Sequence, residues 1–148
     1  MKNTVNLTDL AKKIVLVAVA SSVINVILAV VGKMISQPPA TFGPYMTGPV
    51  VGLTVLGVIA AGFTFAAMRA WYTDTKKANK HFIILSVLVL IASFYPDVAM
   101  PWSTDADQVG WTYGIIANLM LMHVVAAALV IYYFPRVKGV TTISNQGM

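Results

Sequence analysis

Four long apolar stretches alternate with short polar segments along the chain. The last stretch, residues 111–134, contains no Asp, Glu, Lys or Arg. At ~1.5 Å of rise per residue, a helix of that length crosses a hydrocarbon layer of ~30 Å with some tilt. The pattern therefore predicts a single domain, residues 1–148, with an all-α fold. We expect an integral membrane bundle of four transmembrane helices, with spans at about 12–35, 49–70, 81–97 and 111–134.

Proline positions predict where the spans end. The segment between the first two spans cannot be helical, because proline lacks a backbone N–H and clashes with the preceding turn; its prolines are Pro38, Pro39, Pro44 and Pro49. Pro96 is expected to end or kink the third helix by Tyr95. At the N-terminus, Thr8 and Asp9 are expected to cap a helix that begins at Leu10. Residues 135–148 are predicted to form a mobile polar tail.

Composition supports the membrane interpretation and removes several classes of chemistry. Hydrophobic residues make up 58% of the chain and charged residues 10%, whereas soluble domains carry about 25% charged residues. So few charges could not cover the surface of a soluble fold. The chain has no cysteine, which excludes disulfides, thiol nucleophiles, cysteine-ligated zinc and iron–sulfur clusters.

The distribution of basic residues predicts the orientation in the membrane. The net charge is +5, and nine of the ten Lys and Arg residues lie before residue 14, between 69 and 80, or after 135. Such clustering in alternate segments is typical of cytoplasmic loops and ends. We therefore expect both termini to be cytoplasmic, with the proline-rich and acidic loops outside. Since the cations do not gather on one soluble face, no nucleic-acid partner is predicted.

The second span is rich in small residues at helical spacing. Small residues three or four positions apart let two helix backbones approach closely in lipid. The candidate helix-packing face consists of Gly52, Gly57, Ala61, Gly62 and Ala66. Two interpretations stay open: the helix sits at the centre of the chain's own bundle, or this face packs against another copy of the chain.

A few polar residues fall inside the apolar stretches and form a candidate intramembrane polar site. They are Asn25, Ser86, Ser93, Asn118 and His123. Asn25 and His123 are expected at the same membrane depth, where an uncharged polar side chain requires a partner inside the bundle. One interpretation is purely structural, with hydrogen bonds between helices. The alternative makes His123 a titrating group or a metal ligand.

Two observations weigh against the functional interpretation of His123. Titration within the bilayer requires a water path or a carboxylate, and the sequence places no Asp in the core of any span. A haem with two axial histidines would need His81 as well, and His81 is expected about half a membrane away in depth. The sequence therefore predicts neither a cofactor nor a metal site.

The segment after the third span is acidic. Asp97, Asp105 and Asp107 occur there beside Trp102, with no basic residue between 97 and 110. They form a candidate outer-loop acidic site for a cation. Asp105 and Asp107 have the alternate spacing of calcium loops, but the glycine and terminal Glu of that pattern are missing. A solvated loop with interfacial tryptophans is the other interpretation.

Three short motifs resemble a known family. The second span ends in Met68-Arg69-Ala70-Trp71, the third ends in Ser93-Phe94-Tyr95-Pro96, and the fourth carries Met122-His123. Together they resemble a family of small four-span prokaryotic membrane proteins of unknown function. The resemblance covers residues 14–136. It implies a multi-pass protein of a prokaryotic plasma membrane, and it makes His123 the first residue to mutate.

Function is predicted mainly from what the chain lacks. It has no Glu, no phosphate loop, no nucleophile elbow and no zinc motif, so we expect no enzyme. The leading hypothesis is a non-catalytic accessory or scaffold subunit that packs with partner membrane proteins or with itself. The second is a small oligomeric transporter or channel with His123 and Asn25 lining the path. The third is a haem- or redox-associated membrane subunit.

Overall fold

The computed structural model describes residues 2–142, and it is a bundle of helices closed at one end by two short strands. Within the described residues, four segments are long and apolar enough to cross a membrane: Leu7–Ser36, Thr47–Trp71, Thr75–Trp102 and Tyr113–Arg136. The helices are α1 (Leu7–Ser36), α2 (Thr47–Trp71), α3 (Thr75–Ser93), α4 (Tyr95–Ala99) and α5 (Tyr113–Tyr133); the strands are β1 (Lys2–Val5) and β2 (Gly139–Thr142). The prediction of a mostly helical fold with four helices long and apolar enough to cross a membrane is confirmed.

The first helix starts earlier than the sequence suggested. It begins at Leu7, and its N-cap is Asn6, whose side-chain oxygen accepts a hydrogen bond from the backbone N–H of Asp9 at 3.0 Å. Asn is as good an N-cap as Asp or Ser. The predicted cap at Thr8 and Asp9 is thus wrong by one turn, and Asp9 is left free for a contact with the C-terminal segment.

The two strands bring the chain ends together. They pair antiparallel, with Lys2 opposite Thr142 and Val5 opposite Gly139. Within the described residues, the predicted polar tail begins in a 3₁₀ turn, Phe134–Arg136, and continues into β2. Residues 143–148 of that tail lie outside the described part. The α2–α3 turn lies at the same end of the bundle, where the Asn79 side-chain amide donates to the carbonyl of Pro135 at 3.2 Å. We call this end the termini end.

The opposite end, called here the loop end, consists of the segments 37–46 and 100–112. Three short 3₁₀ turns, Gly43–Tyr45, Met100–Trp102 and Ala106–Gln108, interrupt the irregular backbone that was expected there. The two segments meet, since a Cβ on Gly110 would lie 2.6 Å from the Pro39 ring. Gly110 also has a φ of 90°, a backbone conformation that residues other than glycine rarely adopt.

Pro96 ends the third helix, as predicted. The helix α3 stops at Ser93, and the five-residue helix α4 begins at Tyr95 with Pro96 in its first turn, where the missing N–H has no helical partner to lose. Phe94, between the two helices, keeps a right-handed helical backbone. Asp97 of α4 lies on the inner side of the bundle, where the residue is only 6% exposed.

The core is divided into two clusters, and α3 is the least buried span. Phe65, Phe82 and Phe134 form the centre of the cluster nearer the termini end, with ring centroids 5.1–6.2 Å apart. Phe42 and Tyr45 lie in the cluster at the loop end. Only 11% of the most apolar stretch of the third span is buried, against 28% for the first and the fourth spans. The third span therefore exposes more of its apolar surface than the other spans do.

Candidate functional site: a cavity between α2, α3 and α5

A cavity of about 820 Å³ lies between α2, α3 and α5. Its walls are mostly apolar, and it extends from the loop end, where Asp107 lines it, to Phe82 and Val130 nearer the termini end. Ligand pockets in proteins typically enclose about 300–1,000 Å³ and combine apolar walls with a few polar groups. The cavity has the size and the composition of such a pocket.

Small side chains create this space. Gly57, Ala60 and Ala61 of α2 line the cavity, as do Ala126 and Ala127 of α5. A Cβ atom added to Gly57 would meet nothing within 4 Å. Because these residues carry so little side-chain volume, α2 and α5 leave a gap beside α3 that the chain itself does not fill.

Asp97 and His123 form the polar part of the cavity wall near the loop end. The Oδ2 atom of Asp97 lies 3.4 Å from Nε2 of His123, and the two side chains are 9% and 40% exposed. Among the described residues, no hydrogen-bond partner is found for this Oδ2 atom. The Phe94 ring meets the imidazole edge-on, with centroids 6.3 Å apart. A buried carboxylate thus faces the cavity with an imidazole as its nearest basic neighbour.

The sequence grouped Asp97 with the acidic loop, and the structure separates these residues. Asp105 stays in the exposed loop, where its carboxylate accepts hydrogen bonds from Ser103 and Gln108 at 3.0 and 3.3 Å. Asp107 packs against Gly43 and lines the mouth of the cavity. The sequence placed no Asp in the core of any span, whereas in the structure α4 carries Asp97 to within 3.4 Å of His123. A sequence signal existed: His123 is the sole His, Lys or Arg between residues 82 and 135.

The predicted intramembrane polar residues divide into two groups. Asn25, Ser86, Ser93 and His123 all line the cavity. The Asn25 amide donates to the Thr54 hydroxyl at 3.1 Å, so it joins α1 to α2. The Ser93 hydroxyl donates to a carbonyl of its own helix at 2.7 Å. These four residues share one cavity, but Asn25 and Ser93 form hydrogen bonds with different partners.

Asn118 belongs to a separate cluster at the loop end. Its amide donates to the carbonyl of Leu28 at 3.0 Å and to the hydroxyl of Tyr45 at 2.9 Å. Burial raises the pKa of the Tyr45 phenol, an effect that the hydrogen bond from Asn118 partly opposes. The phenol therefore stays neutral over the physiological range, and this cluster joins α1, α5 and the first loop without reaching His123.

The small-residue face of α2 serves two purposes. Gly62 packs against α1, where an added Cβ would overlap the side chain of Ile14. Ala61 and Ala66 pack against the core at the termini end. At Gly52 and Gly57, in contrast, an added Cβ would meet nothing within 4 Å. Only the part of this face nearer the termini end is used for packing within the chain.

Residues that could hold a metal or haem lie apart in the described part of the chain. No group of three His, Asp or Glu side chains is found there. His81 lies in the first turns of α3, where it stacks on Tyr72 with ring centroids 5.0 Å apart. His123 lies beside Asp97, beyond the other end of the same helix. The two histidines of one chain are therefore not positioned to ligate one haem.

Comparison with known sequences supports the resemblance noted above. Residues 6–139 match DUF6069, a family of unknown function. The chain belongs to this family. The match includes all four candidate spans, the cavity and the Asp97–His123 pair. Neither a curated protein nor a solved structure matches the chain. The family has no assigned activity, so the geometry of the cavity is what indicates a function.

Proposed function

We propose that this membrane protein binds an amphiphile, a molecule with an apolar chain and a polar head, in the cavity between α2, α3 and α5. Binding is non-catalytic, and it requires one copy of the chain. The single observation that supports this function is the cavity of about 820 Å³, apolar along most of its length and polar at Asp97 and His123. A site of this kind orients a molecule by its polar end and holds it by its apolar part.

The apolar portion of the site extends away from Asp97 and His123. On α5, Val130 lies seven residues beyond His123, which is roughly 10 Å along the helix. On α3, Leu85, Val89 and Leu90 line the opposite wall. An alkyl chain in this position would replace lipid contacts with protein contacts, so its affinity depends on close packing rather than on hydrophobic transfer alone.

The experiment fills the cavity without disturbing the helix packing. Gly57→Phe places a ring in the cavity at a position where an added Cβ meets nothing within 4 Å. The matched control is Gly52→Phe, since Gly52 lies on the same helix with equally open space but does not line the cavity. The probes are dodecanol, dodecanoate and dodecylammonium, and native mass spectrometry of the detergent-released protein measures one-to-one complexes.

The native chain and Gly52→Phe should bind at least one probe, and Gly57→Phe should lose that binding. Absence of all three complexes from the native chain, or equal binding by Gly57→Phe, would contradict the function. Retained thermal stability of both variants shows that they are folded.

A second candidate function is packing against another membrane helix, as an accessory subunit or a homo-oligomer. It is favoured by the open face of α2 at the loop end: Gly48 and Gly52 have no neighbours at their Cβ positions, and Leu53 beside them is 70% exposed. The test is a Gly52→Cys variant, which crosslinks to itself or to a partner in native membranes if this face is an interface. Absence of any crosslink removes this function.

A further inference from the structure

We propose, on the basis of the amphiphile-binding function, that the ligand of the cavity carries a cationic head, an ammonium or protonated amine, held by Asp97. The charge of the head defines the chemical class of the ligand, whereas the cavity alone defines only the shape of the ligand. The occupant is thus a single-chain cationic amphiphile. A neutral amphiphile, an anionic lipid and a second copy of the chain are the competing occupants.

The charges of the chain favour a cation over an anion. Residues 34–68 and 81–135 contain no Lys or Arg, and these ranges include every cavity-lining residue except Asn25. The acids that line the cavity are Asp97 and Asp107. His123 is the one lining side chain in the described part that can become positive. A cavity with this distribution attracts cations and repels carboxylate or phosphate heads.

Asp97 has the properties of a carboxylate that lacks a full set of partners. It is 6% exposed, and no hydrogen-bond partner is found for its Oδ2 atom within the described residues. Nε2 of His123 lies 3.4 Å away, which is long for a charge-assisted hydrogen bond of about 2.7–2.9 Å. A buried, poorly paired carboxylate is costly. A cationic head entering from the cavity would supply the missing donor.

The position of Asp97 matches an amphiphile rather than a small inorganic cation. Asp97 lies where the cavity approaches the loop end. The described residues contain no group of three His, Asp or Glu side chains that could hold a metal ion. The apolar walls continue from there to Phe82 and Val130. A head at Asp97 therefore leaves its alkyl chain along these walls, so the charge and the chain are recognised by different parts of one cavity.

The test compares dodecyl probes that differ only in the head. In the native chain, dodecylammonium should bind at least about tenfold more tightly than dodecanol, the ratio that corresponds to about 1.4 kcal/mol, and dodecanoate should not bind. Dissociation constants are obtained from native mass spectrometry titrations at one pH and one detergent concentration. This comparison uses the native chain alone, so it decides the question even if a variant does not fold.

Two variants assign the preference to Asp97. Asp97→Asn should lose the preference for dodecylammonium over dodecanol. Asp105→Asn is the control, because Asp105 is an exposed acid of the same loop end that does not line the cavity, and it should retain the preference.

The outcomes separate the inference from the function on which it depends. Equal affinity for dodecanol and dodecylammonium, or an unchanged preference in Asp97→Asn, overturns the cationic head but leaves the amphiphile site. Binding of dodecanoate more tightly than dodecylammonium also overturns the cationic head. If no probe binds the native chain, the amphiphile-binding function itself fails. A crosslinked second copy that blocks all probes would replace the amphiphile with the chain itself as occupant.

Discussion

Oδ2 of Asp97 lies 3.4 Å from Nε2 of His123. This contact joins α4 to the middle of α5. The third span is the least buried of the four, so it has few apolar contacts to hold it in place. The polar contact between these two residues therefore forms part of the cavity wall and also connects the third span to the fourth. It brings α4 against the middle of α5.

A double-mutant cycle measures this contact. Asp97→Ala, His123→Ala and the double variant should show a coupling of about 0.5–1.5 kcal/mol, because either single change removes the same interaction. The measurement is the free energy of unfolding in mixed micelles. As a control, Asp97→Ala combined with His81→Ala should be additive, since His81 stacks on Tyr72 near the other end of the bundle. Additivity of the Asp97 and His123 changes would show that the contact does not contribute.

Gly32 should not tolerate a side chain. A Cβ at this position would lie 2.6 Å from the Tyr45 hydroxyl oxygen and closer still to the Asn118 amide. Gly32→Ala should therefore displace the hydrogen bond between these residues and destabilise the protein by about 1–3 kcal/mol. The matched control, Gly52→Ala, meets nothing within 4 Å and should be neutral or stabilising by up to about 1 kcal/mol. Thermal unfolding in detergent distinguishes the two, and equal effects would refute the close contact.

Asp9 should hold the C-terminal segment against α1. Its carboxylate accepts a hydrogen bond from the backbone N–H of Lys138 at 2.8 Å and another from Lys13 at 3.3 Å. In Asp9→Ala the amide of Lys138 loses its partner, so its hydrogen exchange should become faster. The control is Lys12→Gln, an exposed position on the same turn of α1, which should leave this exchange unchanged. Unchanged exchange in Asp9→Ala would show that the contact does not close the bundle.

The orientation of the bundle can be measured directly because the chain has no cysteine. Lys77 lies near the termini end and Asp105 at the loop end, so single-cysteine variants at these positions should react with an impermeant maleimide from opposite sides of a sealed vesicle. Charge distribution predicts that position 77 faces the cytoplasm. Labelling of both positions from one side would contradict the four-span topology, and labelling from the reversed sides would contradict only the orientation.

The helices could be predicted because lipid imposes a simple requirement. Every backbone polar group within the bilayer needs an internal partner, so an uncharged stretch such as residues 111–134 has to be helical. Pro96 marked the end of α3 for an equally local reason. The start of α1 was less accurate, since Asn6, Thr8 and Asp9 are all acceptable caps.

The candidate site could be predicted only in part. His123, Asn25 and the serines are recognisable as polar residues in apolar stretches, and they do line one cavity. The partner of each residue was not predictable, because a hydrogen bond between spans depends on how the helices are rotated and how deep each one sits. The small residues of α2 show the same limit: spacing indicated a close approach, yet Gly62 packs against α1 while Gly57 faces an open cavity.

The sequence by itself determined that this chain has four helices long and apolar enough to cross a membrane, because helix length and apolar character are local properties of the chain. Only the tertiary structure decided that Asp97 meets His123 and that a cavity opens beside them. Pro96 marks the end of α3, but it does not determine whether the Asp97 side chain faces water or the bundle. The backbone path through α4 and its packing on α5 turn it inward, and those contacts join residues that are far apart in the chain.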